Sequence, residues 1–226
     1  MEAITSSTKI KSNNGQTFKT QAFLDSACVA RTVVQLRRAQ QAYAQGDPAA
    51  SVMYIQEGKV KLSVVNEFGK EAIVAILGPA DFFCEGCLAG QSVRMGTATA
   101  LLPTTVSVIQ KNDMMSAIHS ERTFSDRFMS YLISRNLRTQ EDLIDHLFNS
   151  SQKRLARALL LLTGYGKQEP PQKILPKVSQ EMLAEMVGTT RSRINFFMNK
   201  FRKLGYVRYE GGLHINPSLL NVLLHE

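Results

Sequence analysis

The spacing of apolar positions changes along the chain. From about Gln21 to Gln40 apolar residues recur every three or four positions, which predicts a helix. Farther on they gather into short runs separated by turns rich in Gly, Pro, Asn and Asp. These runs are Met53–Ile55, Val60–Val65, Ala72–Leu77 and Val106–Ile109. Short strands at this spacing predict a small antiparallel sandwich or barrel.

A helical pattern returns near Asn112 and continues to Phe148. One face carries an apolar stripe made of Phe124, Phe128, Tyr131, Leu132, Leu143 and Leu147. Polar residues interrupt the stripe at Arg135, Asn136, Thr139 and Gln140. A helix this long cannot bury its own stripe, so we expect a partner helix, with the polar break setting the register. The alternative is that the stripe packs only on the barrel.

The C-terminal third has the pattern of a winged helix-turn-helix. A helix from Ser151 to Tyr165 precedes a proline-rich stretch, Gly166–Pro176, that is predicted to be a loop. Two short helices then meet at Gly188, the first capped by Ser179 and the second by Thr190. Their core positions are Leu183, Met186, Val187, Ile194, Phe197, Met198, Phe201 and Leu204. Two apolar runs joined by a Gly-containing turn follow and predict a wing, completing the motif.

The outer face of the second short helix has the side chains of a DNA-reading surface. Arg191 can bridge guanine O6 and N7, Asn195 can bridge adenine N6 and N7, and Phe196 can touch a thymine methyl group. We assign base reading to Arg191, Ser192, Arg193, Asn195 and Phe196. We assign phosphate contacts, which position the protein without specifying sequence, to Ser179, Thr189, Thr190, Asn199, Lys200 and Arg202.

The charge of the chain agrees with this reading. The formal net charge is +8, and basic residues crowd the C-terminal stretch, which favours an anionic partner such as nucleic acid. No apolar run reaches the length of a membrane span, and residues 1–20 lack the apolar centre of a signal peptide. We therefore expect a flexible lead at 1–20, a cytoplasmic location and no membrane contact.

The cysteines and the catalytic motifs bear on two other kinds of chemistry, thiol or metal sensing and catalysis. Cys84 and Cys87 form a C-x-x-C, so a thiol redox or metal-sensing regulator is one alternative. With Cys28 they make three thiols, one short of a four-cysteine iron–sulfur site, and structural cysteines are the simpler reading, so no metal site is predicted. The chain has no phosphate-binding Gly-rich loop, nucleophile elbow or H-E-x-x-H motif, so we expect no catalytic activity and assign no catalytic residue.

Two segments carry a resemblance to the Crp/Fnr superfamily of bacterial transcription regulators. Residues Val178 to Val207 resemble the family's winged helix, and Asp81 to Ala100 resemble the phosphate cassette of its cyclic-nucleotide-binding barrel. Arg154-Leu155-Ala156 opens the C-terminal domain as it does in relatives. The resemblance implies a homodimer that binds a palindromic operator in double-stranded DNA, with RNA polymerase as a further partner.

The same resemblance implies an α+β fold in four parts. After the lead come a cyclic-nucleotide-binding-like antiparallel β-barrel, which is the sensor, a long dimerisation helix and a winged helix-turn-helix DNA-binding domain. The expected boundaries are 21–111 for the barrel, 112–148 for the helix and 149–226 for the DNA-binding domain.

The resemblance also implies an effector site at Glu85, Arg94 and Thr139. In relatives that bind cyclic AMP, a glutamate contacts the ribose hydroxyl and an arginine the cyclic phosphate, and Glu85 and Arg94 match them. Thr139 resembles a residue that contacts the adenine. Cys84 replaces a small glycine, however, and Met95 replaces a hydroxyl donor.

We therefore expect a barrel that keeps the fold without depending on cyclic AMP, in which Glu85 and Arg94 pair with each other. A cyclic-nucleotide-responsive regulator stays open as the alternative. No cofactor is assigned, and a different small-molecule effector also stays open.

Overall fold

The structure is a computed structural model that describes residues 29–163, 174–175, 178–210 and 212–224. The predicted lead at 1–20 lies outside the described residues, as does the first part of the predicted helix, up to residue 28. The end of the helix predicted to reach Tyr165 also lies outside them, and so does most of the predicted loop at 166–176.

In the described N-terminal part, from residue 29 onward, there are eight antiparallel strands. They are β1 Thr32–Leu36, β2 Gln41–Tyr43, β3 Ser51–Glu57, β4 Val60–Val65, β5 Glu71–Leu77, β6 Phe82–Phe83, β7 Thr97–Ala100 and β8 Thr104–Gln110. One sheet has the order β1-β8-β3-β6 and the other β2-β7-β4-β5. Buried residues from both sheets, such as Ile55 and Phe83 facing Val60 and Ala98, form one hydrophobic core. The predicted antiparallel barrel is confirmed.

The helix predicted from Gln21 to Gln40 is wrong where the structure describes it. Residues Thr32–Leu36 form strand β1, which pairs with β8 from Thr32 opposite Val108 to Leu36 opposite Thr104. Thr32, Val33 and Val34 are β-branched and favour the extended backbone. The pairing of five residues of β1 with β8 outweighs the weak helical spacing of the apolar residues in this segment.

Two helices replace the single one predicted from 112 to 148. Helix α1 spans Lys111–Ser120 and helix α2 spans Arg122–Phe148, with Glu121 between them in an extended conformation. The first part of the predicted apolar stripe packs against the barrel and not against a partner helix. Phe124 and Phe128 are buried against barrel residues that include Tyr54 and Phe82.

The C-terminal part contains the predicted helix-turn-helix and wing. Its elements are α3 Ser151–Leu162, β9 Ile174–Leu175, α4 Gln180–Val187, α5 Arg191–Lys203, β10 Val207–Tyr209, β11 Leu213–Ile215, a 3-10 turn Pro217–Leu220 and α6 Asn221–Leu224. Strand β9, which was not predicted, extends the wing to three strands in the order β10-β11-β9. None of the helices described is long and apolar enough to span a membrane.

The start and stop signals of the two short helices are those predicted. The side chains of Ser179 and Thr190 accept hydrogen bonds from the backbone of Met182 and Arg193, and Gly188 ends α4 in the left-handed conformation. Leu204 is a wrong core assignment, because it is 54% exposed. It is the C-cap residue of α5, one position beyond the last residue of the helix.

The two parts of the chain touch along the edge strand β5. Helix α4 lies against this strand. The ammonium group of Lys61 on β4 is 2.7 Å from a carboxylate oxygen of Glu71 on β5 and 3.7 Å from one of Glu185 on α4. The first helix of the helix-turn-helix therefore covers a sheet edge of the barrel.

We expect Gly58→Ala to destabilise the turn between β3 and β4. Gly58 has φ +93, and a Cβ there would lie 2.6 Å from the Pro103 carbonyl oxygen and against the Thr104 hydroxyl. Strain and overlap together should cost about 2–5 kcal/mol in urea unfolding followed by circular dichroism. Gly69→Ala is the control, because Gly69 has φ +73 with nothing within 4 Å and should cost about 1 kcal/mol. Equal losses in the two variants would contradict the packing described for this turn.

Candidate DNA interface and sensor cassette

The exposed face of α5 is set by the face that it buries. Ile194, Met198 and Phe201 recur at helical spacing and are buried in the C-terminal core. The opposite face therefore points outward, and all five side chains assigned to base reading are exposed on it: Arg191, Ser192, Arg193, Asn195 and Phe196. The structure thus brings the predicted base-reading set together on one surface.

Arg191, at the start of α5, and Phe196, one turn further on, are two of the exposed side chains on this surface. The Nε atom of Arg191 is 2.9 Å from a carboxylate oxygen of Glu181, and both side chains are largely exposed. An exposed ion pair of this kind contributes little and can be released to DNA. Phe196 is 65% exposed, with its ring edge-on to that of Phe197. Phe197 is the half-buried one of the two, so Phe196 is free to face a partner.

Asn195 is held by two other amides. Gln180 Nε2 and Asn199 Nδ2 each donate to Asn195 Oδ1 over 3.3 Å. Gln180 is the first residue of α4 and was not assigned to the site from sequence. The signal that could have found it is its position, because the start of the first helix in this motif lies beside the recognition helix.

The residues assigned to phosphate contacts surround this face. The Ser179 and Thr190 oxygens cap their helices, and each hydroxyl keeps a proton to donate. Lys200 donates to the Gln152 side chain of α3 over 2.9 Å. Arg202 is exposed, whereas Thr189 and Asn199 are partly buried.

Glu85 in the sensor cassette, residues 81–100, has a partner on the central helix. Its carboxylate is 2.9 Å from Arg135 Nη1 on α2. Burial lowers the pKa of Arg135, but the neighbouring charge of Glu85 raises it, and the net direction is upward. The expected pair between Glu85 and Arg94 is therefore wrong, because Arg135 takes the place of Arg94.

Arg94 is buried among neutral partners. It is 6% exposed, its Nη1 donates to the Ser51 carbonyl over 2.8 Å and its Nη2 donates to the Ser51 hydroxyl over 3.0 Å. The guanidinium carbon lies 4.7 Å from the centre of the Tyr43 ring, a cation–π contact. Nε is buried with no hydrogen-bond partner. The Nε–H donor of the guanidinium is thus left without a partner, which is unusual for a buried arginine.

The central helix also bonds to strand β6, which lies within the cassette. The Tyr131 hydroxyl accepts from the Phe82 backbone N–H over 2.8 Å and donates to the Phe82 carbonyl over 3.0 Å. Arg135 Nη1 donates to the same carbonyl over 2.6 Å. Thr139 is exposed, and its hydroxyl donates to the Arg135 carbonyl of its own helix. The three hydrogen bonds that Tyr131 and Arg135 make with Phe82 were not predicted from the sequence.

The two cysteines of the cassette are poor thiolates. Burial raises the pKa of Cys84 to about 11, although a hydrogen bond with Tyr43 and the charge of Arg94 lower it. Burial also raises the pKa of Cys87, which is almost inaccessible. Within the described residues no three His, Cys, Asp or Glu side chains are grouped to hold a metal ion. This environment is typical of structural cysteines rather than reactive ones.

Comparison with known proteins agrees with the two-part architecture. The model of the cyclic nucleotide-binding domain matches residues 33–121, and the model of the Crp-like helix-turn-helix domain matches residues 153–220. The matched fold and the exposed face of α5 define a DNA-binding transcription regulator. The chain belongs to the Crp/Fnr superfamily. The predicted α+β fold and class of function are confirmed, and the family consists of regulators rather than enzymes.

Several relatives are similar over most of the chain. The CRP-like cAMP-activated global transcriptional regulator of Mycobacterium tuberculosis is 28% identical over 79% of this chain and 80% of its own. The global nitrogen regulator of Synechococcus elongatus is 29% identical over 76% of this chain and 79% of its own. A Crp/Fnr-family transcriptional regulator from Thermus thermophilus superposes with a TM-score of 0.71 at 20% identity, covering 86% of this chain and 99% of its own.

Proposed function

We propose that this regulator binds a palindromic operator as a homodimer, and that its sensor barrel does not depend on cyclic AMP. The barrel extends to about residue 111, the dimerisation helix to 148, and the DNA-reading domain follows. The observation that carries the proposal is the outward face of α5, where five base-reading candidates lie together. Binding to chromosomal DNA implies the cytoplasm, and control of transcription makes RNA polymerase the downstream partner.

The side chains on α5 have two different roles in recognition, since some contact bases and others contact phosphates. Arg191 can release Glu181 and place its two-pronged guanidinium on a guanine. Asn195 Oδ1 already accepts from Gln180 and Asn199, so its amide N–H groups are the free donors for a base acceptor. For Asn195 to make two hydrogen bonds to adenine, its Oδ1 would have to lose the hydrogen bond from Gln180 or the one from Asn199. Lys200 and Arg202 supply charge for the phosphates.

We expect Arg191→Ala and Lys200→Ala to weaken DNA binding in different ways. Loss of Arg191 should cost about 1–3 kcal/mol on the operator and relax specificity at one position in each half-site. Loss of Lys200 should weaken all sequences alike and reduce the salt slope by about one.

The measurement is selection of bound sequences from random DNA, followed by titration of operator and random duplexes at several salt concentrations. Arg37→Ala is the control, because Arg37 is an exposed arginine on the barrel. An equal loss on operator and random DNA for Arg191→Ala would remove its base-reading role.

The surface proposed for the homodimer is an exposed apolar seam on α2. It consists of Met129, Ile133, Leu137, Ile144 and Leu147, each more than half exposed. From Ile133 the positions alternate by four and three if Gln140 is included, which is the a/d spacing of a coiled coil. Gln140 is then a polar residue within the seam, a feature that can set helix register.

We expect Ile144→Glu/Leu147→Glu to convert the dimer to monomers. Both side chains are exposed in the protomer, so the change leaves its cores intact, while pairing would bury like charges. Analytical ultracentrifugation at micromolar concentration measures the change. Leu161→Glu on α3 is the control, since it places the same charge on another exposed leucine. A dimer that persists in the double variant would place the pairing surface elsewhere.

Independence from cyclic AMP is supported by the partners of the three effector candidates. Glu85 is paired with Arg135, Arg94 is bonded to Ser51, and the Thr139 hydroxyl is bonded to its own helix. Cys84 adds a side chain at φ +69, where relatives have glycine. Met95 cannot donate a hydrogen bond to a phosphate. Some similar relatives are named for cyclic AMP and others for nitrogen regulation, so the similarity alone does not assign an effector to this chain.

We expect no saturable binding of cyclic AMP or cyclic GMP at micromolar concentration in titration calorimetry, and no change in operator affinity. The comparison variant is Cys84→Gly/Met95→Ser, which restores the small residue and the hydroxyl. One hydrogen bond to a charged group is worth about 1.5–3 kcal/mol, so this variant should bind cyclic AMP about ten- to a hundredfold more tightly than the parent. Micromolar binding by the parent that raises operator affinity by the same factor would establish cyclic AMP as its effector.

A further inference from the structure

At the junction between the central helix α2 and the DNA-reading domain, the C-terminal ends of α2 and α4 lie close together. Helix α2 ends at Phe148, α3 begins at Ser151, and the end of α4 lies beside them. The last four carbonyls of a helix have no partner within it, and they carry the negative end of the helix dipole. A cation with several donors can therefore link two such ends.

Arg154 is placed to make this link. Its Nη1 donates to the carbonyls of His146 over 3.2 Å and Asn149 over 2.9 Å, at the end of α2. Its Nε donates to the carbonyl of Val187, the last residue of α4, over 3.1 Å. Because the guanidinium is planar and its donors are fixed, these bonds define the position of one helix end relative to the other.

Three further contacts join α2 to the DNA-reading domain near Arg154. Arg157 on α3 lies 3.2 Å from a carboxylate oxygen of Asp142 and 3.4 Å from one of Asp145, both on α2. The His146 ring lies against Gly188, where an added Cβ would be 2.9 Å from its Cε1 atom. The turn between α4 and α5 therefore sits directly on the central helix.

We propose that Arg154 is a positioning residue for operator reading, which fixes the angle between α2 and α5 without touching DNA. The inference rests on the proposed homodimer. The two α2 helices carry the pairing seam, so the angle at each junction sets the distance between the two recognition helices. That distance decides which spacing of half-sites the dimer can bind. Arg154 thereby contributes to specificity through geometry rather than through a base contact.

The test is a set of duplexes that carry two identical half-sites separated by spacers of increasing length, together with a duplex that carries one half-site. We expect the unaltered protein to prefer one spacing. Arg154→Ala should bind the best-spaced duplex at least tenfold more weakly, show a flatter dependence on spacing and keep single-half-site affinity within about twofold. Arg154→Lys keeps the charge but loses the planar set of donors, so its spacing dependence should lie between the two. Arg37→Ala should match the unaltered protein.

Each other outcome has a definite meaning. If Arg154→Ala does not fold by circular dichroism, Arg154→Lys and Arg154→Gln decide the matter by the same dependence on spacing. Variants that keep the original spacing preference overturn the inference. A loss that is equal on every duplex, single half-sites included, shows a merely structural role and also overturns it. If the unaltered protein has no preferred spacing, the proposed homodimeric operator binding fails first, and the inference fails with it.

Discussion

The burial of one apolar stripe of α5 determines which of its side chains can contact DNA. Ile194, Met198 and Phe201 are almost fully enclosed, and turning the helix to expose them would lose several kcal/mol of transfer free energy. The helix therefore has one orientation in its domain. The side chains on its far side are presented to DNA because the near side cannot be released.

The barrel and the central helix are held together by polar contacts as well as by aromatic packing. Tyr131 and Arg135 both bond to the backbone of Phe82, whose ring packs against Phe128. Arg135 also neutralises Glu85. In a barrel of this kind a ligand can connect the cassette with the helix, and here protein side chains already do so. A change at Arg135 would therefore alter both the cassette and the helix that carries the proposed seam.

Local signals explain what could be predicted from the sequence. The helix-turn-helix was recognisable because Ser179, Gly188 and Thr190 are start and stop signals that act within a few residues. Strands β4 and β5 were recognisable as compact apolar runs. Strand β7 was missed, because its sequence Thr-Ala-Thr-Ala has small side chains and its apolar pattern is weak.

Long-range contacts explain what could not be predicted. The pair between Glu85 and Arg135 joins residues fifty positions apart, and Arg135 looked only like a polar break in a stripe. The stripe itself divides in space, since Phe124 and Phe128 face the barrel while Leu143 and Leu147 stay exposed. The same periodicity fits both surroundings, so only the fold tells them apart. The DNA contacts and the effector assignments remain predictions.

The cover that α4 provides over β5 has a consequence for the behaviour of the protein in concentrated solution. Strand β5 ends its sheet, and an uncovered sheet edge offers unpaired backbone groups to any other chain that can add a strand. Val74 on this strand is already exposed. A rotation of the DNA-reading domain away from the barrel would break the contact between Lys61 and Glu185 and bare that edge. Exposure of this edge would favour aggregation. Aggregation therefore limits how far the DNA-reading domain can rotate away from the barrel while the protein stays in solution.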